Sequence, residues 1–460
     1  MTIDATEMPT QSESDSGRIP LSYNQEFLSV FDEGNEVGPF GPFYHLAYGW
    51  RIRGHVDVEC LRSALDSVVQ RHEALRTLVT RGADGYQTVH PSGPPRLGVR
   101  DLPDTDPADR HRVAEELLIE LECGPLRSDE LPLLRAVLAR FDDTDAVLAL
   151  FAHHTAVDGM STHVLIRDLS RTYARLRGHD LPALPEVSQY QEYVVWERER
   201  FADAKIARSR DYWREALQGA EFAAFTADRP KSASGEKKSA VRRLRVDDDL
   251  TGAVLDLARD TRCSVFMVMT AVYNVFLNRM LNITDVVVFT VSSGRGQARF
   301  HETVGGFFNP MPLRTDVAGC ASFRDVLVRT RRTCLGAYSN QIPFAQVMAD
   351  SPGLGRPFLA DDVSVHGFQV FQFPEVMNAE VVGDVELTEI RRVLPQDLGS
   401  DLPDGALWTF DVDTANQDML GCLQYNTNLF DEATIDTVVD TFVRVLRTLV
   451  TDPDGPLTIS

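Results

Sequence analysis

The sequence predicts an α/β protein in two domains, and three observations carry that expectation. At 460 residues the chain exceeds what one hydrophobic core organises, so two or three domains are the prior. Each half mixes helix-period stretches with short apolar β runs, and neither half shows a dinucleotide-type Gly-rich strand-to-helix turn. Between the halves, "HDLPALPEVS" at 179–188 sets two prolines in a loop-like segment, which marks the boundary. The expected division is a disordered leader over 1–18, a first lobe over 19–180, a linker over 181–189 and a second lobe over 190–460.

In chain order, 58–75 carries Leu61, Ala64, Leu65, Val68 and Val69 at helical spacing. "DAVLALFAHH" at 145–154 reads as a buried strand. After it, Val164, Leu165, Leu169, Tyr173 and Leu176 form one helical stripe that ends at Gly178. The second half opens with a helix over 190–217, on which Trp196 and Trp213 read as packing residues. A polar loop at 227–240 and two helices within 250–281 follow. "DVVVFTVSSGR" at 285–295 is a strand running into a turn. A helix at 322–337, strands near 363–373 and 407–425 and a final helix at 432–450 complete the chain.

Composition excludes several classes of function. The apolar fraction of 43% and charged fraction of 25% are those of a soluble globular protein. No apolar run reaches the ~20 residues of a membrane helix, and the polar N-terminus lacks signal-peptide features; a cytoplasmic protein without membrane partners is expected. A formal net charge of −22 argues against nucleic acid. An acidic partner would have to land on a local basic run, at 205–214, 237–245 or 324–332. The six cysteines (Cys60, Cys123, Cys263, Cys320, Cys334 and Cys422) have no metal or disulfide spacing and read as buried thiols.

The chemistry concentrates in "FAHHTAVDGMS" at 151–161. Side chains alternate along a strand, so His153 and His154 should point apart, one toward a cleft and one bracing the loop. Adjacent histidines at a strand end rarely converge on a metal, so no metal site is expected. Histidine is suited to moving protons at neutral pH. Asp158 could orient the ring or pair with a buried arginine, Gly159 could bring its N–H near a reacting carbonyl oxygen, and Ser161 could cap the following helix. On these residues alone, proton transfer and a braced strand-to-helix loop remain equally open.

Companion motifs narrow the choice. His153, His154, Asp158, Gly159 and Ser161 match HHxxxDG and its trailing Ser, with Met160 where Trp is frequent; "LSYNQE" (21–26) and "RHEALRT" (71–77) precede it, and "YQEYVVW" (190–196), "VGGFFNPMPLR" (304–314) and "LQYNTNLFD" (423–431) follow. Together they resemble the condensation domains of nonribosomal peptide synthetases over roughly residues 19–450. "SNQIPFA" (339–345) keeps only Pro343 and Phe344 of that family's HQDVPFE, and the two-aspartate signature of heterocyclising relatives is missing.

The resemblance implies two chloramphenicol-acetyltransferase-like lobes arranged as a V-shaped pseudodimer with the active site at their junction. It implies an acyltransferase with no bound cofactor, whose aminoacyl donor rides on the phosphopantetheine thioester of a peptidyl carrier protein and whose acceptor is an alcohol or amine. His154 would act on the nucleophile, His153 would brace, and Gly159 would donate to the oxyanion. Asp158 would pair with Arg295, while Arg71 and Arg76 would brace the lobe. Asn309, Ser161 and Met160 would line the substrate side, Asn309 having a turn before Pro310 as its alternative. With no adenylation or carrier segment in view, a free-standing enzyme is expected, nearest in type to those of enediyne antibiotic pathways. The alternatives are an acyl-CoA or polyketide-carrier acyltransferase, an epimerisation domain and a non-catalytic recruitment domain.

Overall fold

The structure, a computed structural model, describes residues 17–233, 235–373 and 376–459. Apart from its last two residues, the leader expected over 1–18 lies outside the described residues.

Two open mixed sheets organise the molecule. In the first, the strands run Glu380–Val382, Val385–Glu389, His45–Arg53, Asp145–His153, Leu134–Asp142 and Arg96–Asp101 across the sheet. All nine residues of Asp145–His153 are buried, which explains its continuous rather than alternating apolar run: both faces are covered. Ala146, Leu148, Leu150 and Ala152 face a core shared with the Val58–Arg71 and Gly159–Leu176 helices. Val147, Ala149 and Phe151 face a smaller core under the Arg110–Glu122 helix.

In the second sheet the order is Asn309–Asp316, Asp285–Ser292, Val363–Gln372, Ala406–Asp413, Asp418–Asn426 and Ser239–Val246, with Ala224–Thr226 paired to Val363–Gln372. Its core is capped by Val265–Leu281, a helix buried along nearly its whole length, and by Glu432–Thr451. Among the described residues no single helix is long and apolar enough to cross a membrane; the apolar pair Asp248–Thr261 and Val265–Leu281 is bent by 108°.

Three differences from the sequence reading have physical causes. The expected 190–217 helix is two helices, Tyr190–Arg200 and Asp203–Ala216, because Ala202 between them is not helical. The break lets Tyr190 and Tyr193 enter the first core while Trp213 enters the second. The 407–425 strand is a hairpin, with Trp408 opposite Leu423. Finally, Val385–Glu389 pairs with His45–Arg53, Leu387 opposite Ile52, so a hairpin from late in the chain completes the first sheet.

Candidate active site

The two histidines part company where the strand ends. His153, its last residue, is fully buried. Its Nε2 donates to the Gly41 carbonyl at 3.0 Å and its Nδ1 accepts the Thr155 hydroxyl at 2.8 Å. Both nitrogens are committed, so His153, grouped with the catalytic residues by its motif, is a bracing residue here. Burial pushes its pKa down to about 4, and it is neutral at neutral pH.

His154 is only partly buried. Its Nδ1 lies 2.7 Å from the Val157 carbonyl. A carbonyl only accepts, so Nδ1 carries the proton and Nε2 is left as the basic nitrogen. The ring stacks on Tyr44, centroids 4.8 Å apart at 18°, and tilts against Phe308 at 5.2 Å. Burial lowers its pKa from the ordinary value, the Val157 carbonyl and Asp158 opposing more weakly. The result is an oriented, neutral imidazole.

Asp158 holds the loop rather than the ring. It is the N-cap of Gly159–Leu176, its Oδ1 accepting from the Ser161 amide at 2.8 Å; the cap expected of Ser161 belongs to Asp158. The same oxygen accepts from Arg295 Nη2 at 2.7 Å and from the Ser161 hydroxyl at 2.7 Å. Arg295 in turn donates to the carbonyls of Phe300 (2.9 Å) and Thr303 (2.6 Å) and lies 3.9 Å over the Phe307 ring. This pair joins the motif loop to the chain after Asp285–Ser292. Ser161, expected on the substrate side, is fully buried inside the pair, and its hydroxyl oxygen accepts from the Gly305 N–H at 3.1 Å.

Separate motifs converge behind the loop. The Tyr190 hydroxyl reaches the Gly306 carbonyl at 2.6 Å and Ser22 Oγ at 2.9 Å, and Asn24 Nδ2 donates to the Phe308 carbonyl at 2.8 Å. A Cβ on Gly305 would lie 2.1 Å from the Tyr190 ring, so only glycine fits that approach.

The family model described as Condensation domain matches residues 16–459. This chain is a member of the condensation-domain family. Among curated relatives, one of the linear gramicidin synthase proteins of Brevibacillus parabrevis is 30% identical over 440 residues, 95% of this chain but 8% of that protein. The phosphinothricin tripeptide synthetase PhsC of Streptomyces viridochromogenes is 30% identical over 96% of this chain and 40% of its own length. This condensation domain therefore spans well under half of either relative. Among solved structures, the SgcC5 protein of Streptomyces globisporus is 45% identical with a TM-score of 0.91, covering 95% of this chain and 100% of that one. The first condensation domain of the calcium-dependent antibiotic synthetase, 21% identical with a TM-score of 0.77, covers 97% of this chain and 100% of its own, and it shows the shared fold. The architecture is the expected one, two chloramphenicol-acetyltransferase-like α/β lobes.

The remaining residues of the condensation domain sort by geometry. Gly159 opens the helix, its Cβ position only 3.3 Å from Phe373 Cζ and 3.7 Å from the Tyr48 hydroxyl. Its N–H and that of Met160, a partly exposed residue, stand at the helix start, where donors have no intrahelical acceptor. Asn309 is neither a turn residue nor an open polar group. It begins a strand and spends its amide on the Ile342 carbonyl (2.9 Å) and the Phe344 N–H (3.1 Å), tying the Pro343–Phe344 segment to the sheet. Arg71 pairs with the buried Asp168 at 2.8 Å, shared with His72 at 3.0 Å, and Arg76 donates to the His90 carbonyl at 2.7 Å. Sequence reasoning missed Tyr44, Phe308, Tyr48 and Phe373; only Phe308 carried a signal, through its place in "VGGFFNPMPLR".

Proposed function

We propose that this condensation domain transfers an aminoacyl group from the phosphopantetheine thioester of a peptidyl carrier protein to a small-molecule alcohol or amine. The observation that carries the reading is the neutral His154, its Nδ1 held by Val157 and its Nε2 without a hydrogen bond among the described residues. The acceptor oxygen or nitrogen adds to the thioester carbonyl carbon while Nε2 takes its proton. The oxyanion forms within reach of the helix-start N–H groups of Gly159 and Met160, where the aligned peptide dipoles favour negative charge. Collapse expels the phosphopantetheine thiolate, which takes the proton from His154. Asp158 and Arg295 hold the loop and take no part in the proton transfer. No bound cofactor is required.

Ester formation is the finer reading. The SgcC5 crystals hold (R)-(-)-1-(2-naphthyl)-1,2-ethanediol, and at 45% identity that favours an alcohol acceptor. An alcohol also needs proton removal more than an amine that arrives neutral, which suits a histidine kept neutral. Six free cysteines fit a reducing, cytoplasmic setting. The test supplies a carrier-loaded aminoacyl donor with an aryl-ethanediol and its matched amino alcohol. Ester as the main product supports the reading; amide alone moves the enzyme to amide formation, and product from acyl-CoA but not from the loaded carrier sinks the carrier-dependent reading.

A further inference from the structure

We propose a second binding site, in the first lobe, for a small amphipathic oxyanion: an apolar body bearing one carboxylate or one phosphate. A cavity of about 460 Å³ opens between the end of the Arg110–Glu122 helix and the edge of the first sheet, with Arg96, Gly98, Leu121, Arg135 and Val137 in its walls. That volume is in the range of small-molecule sites.

The charges in the walls point to an anion. Arg96 and Arg135 stand directly opposite one another on neighbouring parallel strands, a like-charge pair that costs free energy. Arg96 has Glu130 at 3.3 Å. Arg135 has no carboxylate partner among the described residues; its Nη1 makes a 3.4 Å contact with the Pro125 carbonyl and its Nε is buried without an acceptor. Burial and Arg96 both work against its charge. An oxyanion set between the two guanidinium groups would supply the acceptor that Arg135 Nε lacks and cancel their repulsion.

The other walls shape the ligand. Leu121 and Val137 offer an apolar surface, and Glu120 at the rim is held by Arg100 at 3.1 Å. Gly98 lies inside the Arg96–Asp101 strand, where glycine weakens pairing and marks close approach of another group. No packing demands it: the nearest side-chain atom to a Cβ there is Val137 Cγ2, at 3.7 Å. The site also touches the strand that ends in the motif histidines. The Arg135 guanidinium lies 5.2 Å over Phe151, which packs edge-on to His45 at 6.3 Å, and His45 faces His153 across the sheet.

Isothermal titration of the full chain with hexanoate, hexyl phosphate, inorganic phosphate and hexanol tests the proposal. Saturable binding of hexanoate or hexyl phosphate is expected, the tighter of the two naming the head group, with inorganic phosphate and hexanol at least about tenfold weaker. Arg135→Met should weaken the amphiphile about tenfold or more while leaving acyl transfer unchanged. Gly98→Leu, which fills the recess and keeps both arginines, should block binding if Arg135→Met fails to fold. Absence of saturable binding by either amphiphile, or binding retained in both variants, overturns the proposal.

Discussion

A carbonyl that can only accept fixes the proton on Nδ1 of His154, and with it the chemistry open to the ring. Because burial disfavours the imidazolium, turnover should be flat above pH 6.5, the ordinary histidine value, and fall only below it. A rate profile whose acid limb centres above pH 6.5 would contradict that tautomer and environment. His153 makes a separate, thermodynamic contribution. Its native pKa of about 4 against 6.5 unfolded means that between those values the unfolded chain binds the proton and the native chain does not. Stability from this group is therefore complete above pH 6.5 and is lost as pH falls toward 4. Glu197, raised to about 7 by burial from 4.5, acts in the opposite direction: its contribution is complete below pH 4.5 and is lost as pH climbs through 7. In urea unfolding at pH 5 and pH 7, His153→Asn should shrink the part of the difference that favours pH 7, and Glu197→Gln the part that opposes it. Unchanged differences in both variants would show that neither group titrates as its surroundings require. The roles of the two histidines could be divided only in outline from sequence, because strand alternation says that they part and not which carbonyls receive them.

The element that carries the site is a loop clamped between a strand and a helix, and its clamp is ionic. Asp158 and Arg295 have side chains only 10% and 4% exposed. Asp158→Ala removes the N-cap and strands the arginine, a loss of about 3–5 kcal/mol for a broken buried pair. Asp158→Ala with Arg295→Met should recover part of that loss in chemical denaturation, since the orphaned charge is then gone. A single variant as stable as wild type would show that the pair does not clamp the loop. One position on, Gly159→Val would press on Phe373 and Tyr48. Transfer activity should fall well before the melting temperature does, as crowding at the helix start displaces the N–H groups without opening the core. The helix after the loop was legible from its periodicity, and its cap was misassigned because Asp158 and Ser161 are both good caps and the arginine that selects Asp158 lies far along the chain. Similarly, Ser239–Val246 reads as a polar, basic run. Its charges are met by acids from elsewhere, Arg242 by Asp436 at 2.5 Å and Arg245 by Asp418 at 3.0 Å, and those partners are invisible to local pattern.

At the scale of the molecule the two lobes repeat one plan: a β-hairpin whose second strand leads into a helix, with an aspartate before it (Asp158 after His153, Asp431 after Asn426). A strand and the helix after it in each half were readable in the sequence, but neither the hairpins nor their correspondence was, because only the first copy keeps histidines. Nor was it visible how the halves are joined. The first core borrows Tyr190, Tyr193, Phe300 and Phe307 from beyond the proline segment, and the first sheet borrows Val385–Glu389. Residues 19–180 expressed alone should therefore fail to give a cooperative unfolding transition, lacking that strand and those aromatic side chains; a sharp transition from that fragment would show the borrowed elements to be dispensable. The central claim is that His154 performs proton transfer on a scaffold that does not depend on it. It is tested most directly by mass spectrometry of product from a carrier-loaded donor and acceptor, wild type beside His154→Ala. Product should fall by roughly 10²-fold or more with an unchanged melting curve; near-normal turnover by the variant would contradict the claim.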